Sequence, residues 1–311
     1  MDFLLLLAGI AGLWLGTELT VGGALAIARR HQLSEFFVGL VILSIGSDLP
    51  EIAVAVDTGI KGLMGNDVSG VVVGTSIGSV VAQIGFVLGF AGMISFLTLP
   101  RAFVVRHGSV LLGATVLLFL MAMDGKITRI EGLALISGYV AYVMALMNGE
   151  TVPEEEPGQL AGGGFKSWVL LLIGLGAVTW SSEITVTSVV NIAYSFDISE
   201  ALISVLIIGL GTSLPELSIS ISAIMKKKTH MSVGNIIGSN ILDTLLPLGI
   251  AASISLVSVE RQFIQFDLPF ILVLTLVVLG FFYARPGVAK REALVILSLY
   301  FGYVTVKLMQ F

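Results

Sequence analysis

The sequence predicts an all-α integral membrane protein in which ten transmembrane helices form two inverted five-helix repeats. Three observations lead to this prediction. The chain is 56% hydrophobic and only 12% charged, which is about half the charged fraction of a soluble domain. Apolar runs such as residues 3–16 and 110–123 lie within stretches long enough to cross a bilayer. Finally, a stretch of the first half reappears without a gap in the second half.

Hydropathy and helix-breaking residues divide the chain into ten predicted spans. These spans lie near residues 3–29, 35–60, 68–97, 103–123, 128–148, 167–194, 199–224, 232–256, 264–284 and 291–309. Between the fifth and sixth spans lies a long polar stretch that contains Pro, Gly and four Glu residues, as solvated linkers do. We therefore divide the chain into a first repeat at 1–148, a linker at 149–165 and a second, inverted repeat at 166–311.

The placement of Lys and Arg predicts the orientation, because cytoplasmic loops carry an excess of both. Of the 16 Lys and Arg residues, 11 fall on one face of the predicted spans and five on the other. The first group is Arg29, Arg30, Arg101, Arg106, Lys166, Lys226, Lys227, Lys228, Arg285, Lys290 and Arg291. We expect this face to be cytoplasmic, so the linker is cytoplasmic and both termini are extracellular in a multi-pass protein of the cell membrane.

The internal repeat relates residues 17–51 to residues 182–216 at a constant offset of 165, with 12 of 35 positions identical. Apolar composition alone would match some Ile and Val residues, but not three glutamates and a proline. Each half holds an odd number of predicted spans, so the second copy enters the membrane upside down. Inverted repeats are typical of secondary transporters, whose substrate sites lie near the midplane where the repeats meet.

The first motif that carries chemistry is GSDLPE at 46–51, with its twin GTSLPE at 211–216. Proline lacks an N–H, so each motif leaves a backbone carbonyl without its helical partner inside a hydrophobic span. A bound cation would satisfy such a carbonyl. Glu51 and Glu216 add carboxylates beside the two breaks, and ionisable residues at membrane depth are rare and functional. The structural alternative is a pair of kinks with Glu facing trapped water.

The second motif is SVGNIIGSNILD at 232–243, whose counterpart is VVVGTSIGSVVAQ at 71–83. Spaced small residues such as Gly234 and Gly238 allow two helices to approach closely. Ser239 and Asp243 are four residues apart, as are Ser79 and Gln83, so each pair shares one helical face. Each motif therefore presents two oxygen-bearing side chains to one neighbour.

Together the motifs supply oxygen ligands only: Glu51, Glu216, Asp243, Asp48, Gln83, Ser47, Ser79, Thr212, Ser213 and Ser239. Several carboxylates with further oxygens suit Ca²⁺, which takes 6–8 oxygen ligands, and hydroxyls and carbonyls also suit Na⁺. The chain has no cysteine and its three histidines lie at span ends, so zinc and copper are not favoured. The net charge of −5 without a basic tract argues against nucleic acid.

These motifs, with ARRHQLSE at 28–35, resemble the two repeats of the calcium/cation antiporter superfamily, and most of all its prokaryotic sodium/calcium exchangers. The resemblance covers nearly the whole chain. It implies a ten-helix fold with four central helices around the site, and a long first and sixth helix that slide to expose it alternately. The ligands it implies are Glu51, Glu216, Ser47, Thr212, Ser213, Ser79 with Gln83, Ser239 with Asp243, and the backbone carbonyls of Ser44 and Gly209.

Two departures from this pattern leave the counter-ion open. Asp48 stands where the superfamily usually has Ser, and Gln83 stands where it usually has Asn or Asp. Exchange of Ca²⁺ for Na⁺ by alternating access is the first hypothesis. Exchange of Ca²⁺ for H⁺ or another monovalent cation at the same site is the alternative, because clustered carboxylates favour protonation. With no cation bound, we expect the cluster to hold at least one proton, with Asp48 as its carrier.

Other functional classes fit the sequence less well. A cation channel or sensor needs no inverted repeat. An enzyme is not expected, since the G-x-S-x-G match at 74–78 lies inside a span without a histidine base. We expect no cofactor, Ca²⁺ and Na⁺ or H⁺ as substrates, lipid as the surroundings, and a monomer sufficient for function. Glu18 and Glu183 recur in both repeats, and we expect them to pair with neighbouring hydroxyls, an ion access path being the alternative.

Overall fold

The computed structural model describes residues 1–147, 164–196, 209–285 and 287–309. Most of the predicted linker and the first part of the predicted seventh span lie outside these residues. The described helices are α1 Asp2–His31, α2 Glu35–Ser47, α3 Leu49–Leu63, α4 Ser69–Ile94, α5 Arg101–Ala122, α6 Arg129–Met147, α7 Phe165–Ser195, α8 Gly209–Gly211, α9 Leu214–Met225, α10 Thr229–Ile254, α11 Phe263–Ala284 and α12 Lys290–Met309. The strands are β1 Leu97–Thr98, β2 Lys126–Ile127, β3 Val257–Ser258 and β4 Gly287–Val288.

The helices confirm the prediction of a helical, multi-pass membrane protein. Within the described ranges, eight helices are long and apolar enough to cross a membrane, and α2 with α3 forms a ninth, broken span bent by 46°. The described part of the predicted seventh span consists of α8 and α9. The described residues therefore account for up to nine of the ten predicted spans, and the tenth is described only in its second part.

The two GxxLPE motifs break their spans in the same way. Asp48 and Ser213 each leave the helical conformation, with φ and ψ of −91° and 10° and of −98° and 9°. Pro50 and Pro215 follow in the first turn of a new helix, where the missing N–H costs no hydrogen bond and the fixed φ suits the helix. Each proline thus starts a half-helix, which is a sharper change of direction than the kink predicted from the sequence.

Within the described ranges, three spans also contain a π-helical stretch that the sequence did not predict. These stretches are Val38–Leu43 in α2, Ala82–Val87 in α4 and Phe263–Asp267 in α11. A π-helical turn inserts one extra residue per turn and is frequent at functional sites. The first two lie next to the predicted ion ligands, and Gln83 belongs to the second.

The long helices α1 and α7 pack against each other along most of their length. Contacts at Gly23 with Leu171 and at Gly16 with Val178 run in opposite directions along the two helices, so the pair is antiparallel. A side chain at Gly16, Gly23 or Gly174 would collide with the backbone of the partner helix. Small residues at these positions therefore join α1 and α7 into one closely packed pair.

Helix α10 lies at the centre of the core and packs against α2, α3, α4, α5, α6 and α9. Gly234 and Gly238 on α10 meet the backbone of α2, where a Cβ at Gly238 would collide with the Leu40 carbonyl. The predicted close approach of helices at this motif is therefore confirmed for the second repeat. The equivalent partner of Gly74 and Gly78 would come from residues 200–208, which lie outside the described ranges.

In the part of the chain that the structure describes, two short strand pairs join the two halves. Strand β1, which follows α4, pairs antiparallel with β4, which follows α11. Strand β2, which follows α5, pairs antiparallel with β3, which follows α10. Each pair therefore links a loop of the first half to a loop of the second half, and the two pairs lie at opposite ends of α5.

Candidate ion-binding site

Four carboxyl groups meet where the two broken spans cross the middles of α4 and α10. Asp48 lies in the break between α2 and α3, Glu51 and Glu216 lie in the first turns of α3 and α9, and Asp243 lies inside α10. Asp48, Glu216 and Asp243 are 0% exposed and Glu51 is 6% exposed. The sequence-predicted carboxylates of both halves are thus brought together inside the protein.

The four groups interact with one another rather than with basic residues. Glu216 lies within electrostatic range of Asp48, Glu51 and Asp243. Asp48 also lies within range of Glu51 and Asp243. In the described part of the chain, no ion pair joins any of the four to Lys, Arg or His. The cluster is therefore a concentration of buried acidic groups without a basic partner among the described residues.

Several oxygen atoms of this cluster accept no hydrogen bond from a donor group, although the Asp48 and Glu216 carboxyl groups lie close enough to share a proton. Among the described residues they include five carboxyl oxygens, namely Asp48 Oδ2, Glu51 Oε2, Glu216 Oε1, Glu216 Oε2 and Asp243 Oδ1. Buried polar atoms are almost always hydrogen-bonded, and a buried, unpaired charge costs several kcal/mol. Carboxyl oxygens that accept no hydrogen bond from a donor group, gathered in one cluster, fit an all-oxygen cation site.

The hydroxyl and amide side chains bridge the two repeats. The Ser79 hydroxyl lies 3.4 Å from the Thr212 hydroxyl, and the Gln83 amide donates to Asp243 Oδ2 at 3.0 Å. Ser213 Oγ, Ser239 Oγ and Gln83 Oε1 are buried without a hydrogen-bond partner in the described residues. Gln83 thus holds one oxygen of Asp243 and leaves its own carbonyl oxygen for a ligand.

The region around Asp48 is tied together by Ser47. The Ser47 hydroxyl lies 3.2 Å from the Ser44 carbonyl and 3.3 Å from Asp48 Oδ1. The Ser44 carbonyl also accepts the Asp48 N–H at 3.0 Å, so it would have to release the Ser47 hydroxyl to bind an ion. Asp48 bonds a neighbouring hydroxyl through one oxygen and lies within reach of the other carboxyl groups.

The second break has a different backbone environment. The Gly211 carbonyl, which Pro215 leaves without its helical partner, lies 3.3 Å from the Ser182 hydroxyl of α7. The Ser182 hydroxyl therefore satisfies a carbonyl that the sequence alone assigned to a cation. Gly209 is the first described residue after the gap at 197–208 and begins α8.

The carboxyl groups are not arranged as a compact metal centre. Within the described residues, no three Asp, Glu, His or Cys side chains are placed to hold one metal ion by themselves. An ion bound here would draw its remaining ligands from the hydroxyl, amide and backbone oxygens that interleave the carboxylates. Hard cations such as Ca²⁺ accept such mixed oxygen shells.

A cleft of about 270 Å³ leads to Glu51 from the side of α7. It lies between α3 and α7, and Glu183 lines it together with hydroxyl-bearing residues. Glu183 is exposed and makes no ion pair among the described residues. Glu18, its repeat counterpart, instead pairs with Lys226 at 2.6 Å. The expected pairing with hydroxyls is therefore wrong for Glu18, and Glu183 lines the cleft that reaches Glu51.

Sequence reasoning missed two polar residues at the site. Ser76 is buried with an unpartnered hydroxyl and lines a cavity of about 10 Å³ beside Asp243. Its spacing of three from Ser79 places both on one side of α4, and this signal was available in the sequence. Ser182 could not have been found, because its partner Gly211 lies 29 residues away on another helix.

Comparison with known proteins decides the family. A model of the sodium/calcium exchanger protein family matches residues 1–148 and 166–309. The chain belongs to the sodium/calcium exchanger family. The resemblance to the calcium/cation antiporter superfamily is thus confirmed, and the members of this family are secondary transporters, not enzymes.

Individual relatives of this exchanger-family chain match over most of its length. The sodium/calcium exchanger MaX1 of Methanosarcina acetivorans is 25% identical and covers 98% of both chains. The membrane protein MJ0091 of Methanocaldococcus jannaschii is 32% identical over 76% of each chain. A solved structure of the sodium-calcium exchanger NCX_Mj, soaked without Na⁺ and Ca²⁺, is similar with a TM-score of 0.82, 27% identity and 98% coverage of both chains. The chain therefore has the fold of this exchanger.

Proposed function

We propose that this exchanger-family chain carries Ca²⁺ across the membrane in exchange for Na⁺, by alternating access to the buried carboxyl cluster. The observation that carries the proposal is the set of five unpartnered carboxyl oxygens on Asp48, Glu51, Glu216 and Asp243. No basic side chain among the described residues neutralises them. Family membership supports cation antiport as the reaction.

The charge of the cluster explains why transport would be an exchange. Ionised carboxylates gathered in a low-dielectric interior repel one another and lack the solvation of water. One Ca²⁺ offsets two negative charges, and Na⁺ ions offset them as well. The ion-free site therefore switches its access from one side of the membrane to the other at a high energetic cost, and bound cations lower this cost. After releasing its first cation, such a carrier regains its original access state only when a second cation is bound. Coupled transport of this kind is antiport.

The ligand set that we propose combines both repeats. Glu51 and Glu216 supply the central carboxylates, and Asp48 and Asp243 add two more. The proposed hydroxyl, amide and carbonyl ligands are Ser47, Thr212, Ser213, Ser79, Gln83, Ser239 and the backbone of Ser44 and Gly209. Burial of Ser47, Ser79, Gln83, Ser213 and Ser239 supports the set, as do the unpartnered oxygens of the last three.

We further propose ten spans in two inverted repeats, at 1–148 and 166–311. The strand pairs support the inversion. Equivalent loops follow α4 and α10 in the two repeats and contain β1 and β3. Strand β3 pairs with β2, and β2 lies at the opposite end of α5 from β1. The two equivalent loops would therefore lie on opposite faces of the membrane. Opposite faces for equivalent loops are what an inverted repeat requires.

The proposed orientation follows the distribution of basic residues. The β1–β4 strand pair lies next to a group of basic residues, namely Arg101, Arg106, Arg285, Lys290 and Arg291. This face would be cytoplasmic. The linker at 149–165 would lie on the same face, and both termini would lie outside the cell. Lipid surrounds the exposed apolar side chains of the outer helices, and a single copy of the chain contains both repeats of the site.

Exchange of Ca²⁺ for H⁺ is the second candidate, and Asp48 is the observation that favours it. Asp48 adds a fourth carboxyl group, fully buried and within range of the other three. Protons bound to this cluster could offset charge in place of Na⁺. The fold and the ligand set are the same in both candidates, so only a transport measurement separates them.

The test is calcium uptake by purified protein in proteoliposomes. We expect uptake when the vesicles are loaded with Na⁺ and diluted into Na⁺-free medium containing Ca²⁺, and little uptake when only a pH gradient is imposed. Uptake driven by the pH gradient alone would establish the second candidate. Uptake without either gradient, at a rate that no counter-ion changes, would contradict antiport.

A further inference from the structure

Two charged pairs occupy equivalent positions in the two repeats. Glu18 and Glu183 correspond at the offset of 165, and Lys61 and Lys226 correspond at the same offset. Each glutamate lies on a long helix of the α1–α7 pair, and each lysine lies at the C-terminal end of a half-helix, α3 or α9. An exact two-fold arrangement would therefore form two ion pairs, Glu18 with Lys226 and Glu183 with Lys61.

Only one of these two pairs is formed. Lys226 Nζ lies 2.6 Å from Glu18 Oε2, and α1 packs along α9 at this place. Lys61 instead pairs with Asp57, four residues earlier on its own helix, at 2.7 Å. Ser222 is the repeat counterpart of Asp57, so Lys226 has no comparable partner on its own helix.

The unformed pair lies on the open side of the site. Helix α7 makes little contact with α3, and the cleft of about 270 Å³ that reaches Glu51 separates them. Glu183 lines this cleft together with Glu51 and Val54. The formed pair thus lies on the packed side of the site, whereas Glu183 of the missing pair lines the cleft and Lys61 lies further along α3.

A single sliding movement would exchange the two arrangements. Close packing at Gly16, Gly23 and Gly174 makes α1 and α7 one unit. Val54 and Lys61 are seven residues apart on α3, or about 10 Å at the helical rise of 1.5 Å per residue. Glu183 shares the cleft with Val54, so a slide of about this length along the core would bring it towards Lys61. Because the repeats are inverted, the same slide would withdraw Glu18 from Lys226.

We propose that Glu18–Lys226 and Glu183–Lys61 are alternating clasps, each of which closes one access path to the ion site while the other is open. This inference rests on the proposed exchange by alternating access and assigns the residues that hold each closed state. An exposed ion pair biases an equilibrium modestly, so the clasps would tune the balance of the two states without blocking their interconversion. Asp57, which competes for Lys61, would weaken the second clasp.

The first experiment measures closure of the cleft with a thiol reagent. The chain has no cysteine, so Thr179→Cys, which lines the cleft, provides a single reactive site in purified protein in lipid nanodiscs. We expect Lys226→Met to lower the labelling rate by about two- to fivefold, because it removes the clasp that favours the open cleft. Glu18→Gln should lower it similarly, and the charge exchange Glu18→Lys with Lys226→Glu should restore it.

Lys228→Met is the matched control. Lys228 pairs with Glu35 of α2 near the same face, and this pair involves neither α1 nor α7. Its loss should leave the labelling rate unchanged. If Lys226→Met and Glu18→Gln both label at the wild-type rate, or if Lys228→Met changes the rate as much as they do, the clasp proposal is wrong.

A second experiment traps the clasp that the structure does not form. Lys61→Cys combined with Glu183→Cys should cross-link on oxidation, with a larger yield when Lys226→Met is added. Cross-linking should stop calcium transport, and reduction should restore it. Absence of cross-linking in a variant that still transports calcium would overturn the clasp while the proposed exchange stands. Conversely, altered labelling in a protein that exchanges no Ca²⁺ for Na⁺ would overturn the proposed exchange and leave the clasp.

Discussion

The central residues of this protein are two glutamates that the repeat places at equivalent positions. Glu51 and Glu216 are buried, and each carries at least one unpartnered carboxyl oxygen. We expect Glu51→Gln and Glu216→Gln each to reduce calcium transport by at least about 100-fold, because the amide keeps the size but removes a charge that Ca²⁺ requires. Uptake into proteoliposomes measures this loss, and size-exclusion chromatography verifies that the variants fold. Near-normal exchange in both variants would refute the assignment.

Asp48 offers an informative substitution to Ser, because its repeat counterpart is Ser213. Calcium must displace any proton held by the cluster, so apparent calcium affinity should fall as pH falls. Asp48→Ser removes one of the four carboxyl groups and should flatten this dependence while exchange persists. The measurement is calcium binding against pH for wild type and Asp48→Ser. Superimposable profiles would contradict a proton on Asp48, and complete loss of exchange would make Asp48 an essential ligand.

The site residues that the sequence predicted share one property, which is that they repeat or lie in motifs with helical spacing. Glu51, Glu216, Ser79 and Gln83 follow from such patterns and lie together in the structure. The bond from Ser182 to Gly211 and the ion pair from Lys226 to Glu18 join different helices. No local sequence pattern specifies which residues of two different helices come into contact, so these contacts could be identified only from the structure.

Among the secondary-structure elements, the contact of α10 with α2 makes the most direct prediction. A Cβ at Gly238 would collide with the Leu40 carbonyl, whereas a Cβ at Gly138 would meet no atom within 4 Å. We expect Gly238→Ala to destabilise the protein by about 1–3 kcal/mol, the usual cost of overpacking, and Gly138→Ala to have no such effect. Thermal unfolding in detergent measures both. Equal transition temperatures for the two variants would contradict the close approach of these helices.

Hydropathy located the described helices well, because a span must bury its backbone polar groups in its own hydrogen bonds and therefore forms a helix. It did not locate the irregularities inside them. The break at Asp48 was predicted only as a kink at Pro50, and the π-helical stretches at Val38–Leu43 and Ala82–Val87 were not predicted. These irregularities depend on packing between helices and leave no periodic signal in the sequence.

For the molecule as a whole, the inverted repeat predicts that the start of α1 and the start of α7 lie on opposite faces of the membrane. The cysteine-free chain allows a direct test with single cysteines at Asp2 and Lys166 and an impermeant thiol reagent on intact cells. We expect labelling at Asp2 from outside and labelling at Lys166 only after permeabilisation. Equal labelling of both sites from one side would contradict the topology.

The internal repeat carried most of what the sequence revealed about the whole molecule. It indicated two halves, an odd number of spans in each and a shared acidic site, and the strand pairs between the halves are consistent with that arrangement. It could not reveal that the two halves differ, with α1 packed on α9 and a cleft between α7 and α3.

The central claim is that the buried carboxyl cluster binds Ca²⁺ and Na⁺ in competition, and equilibrium binding to purified protein tests it most directly. We predict that wild-type protein in Na⁺-free buffer binds Ca²⁺, that added Na⁺ displaces it with a steep dependence on Na⁺ concentration, and that the double variant Glu51→Gln with Glu216→Gln binds none. Calcium binding that persists undiminished in this double variant, or that Na⁺ does not displace, would contradict the account.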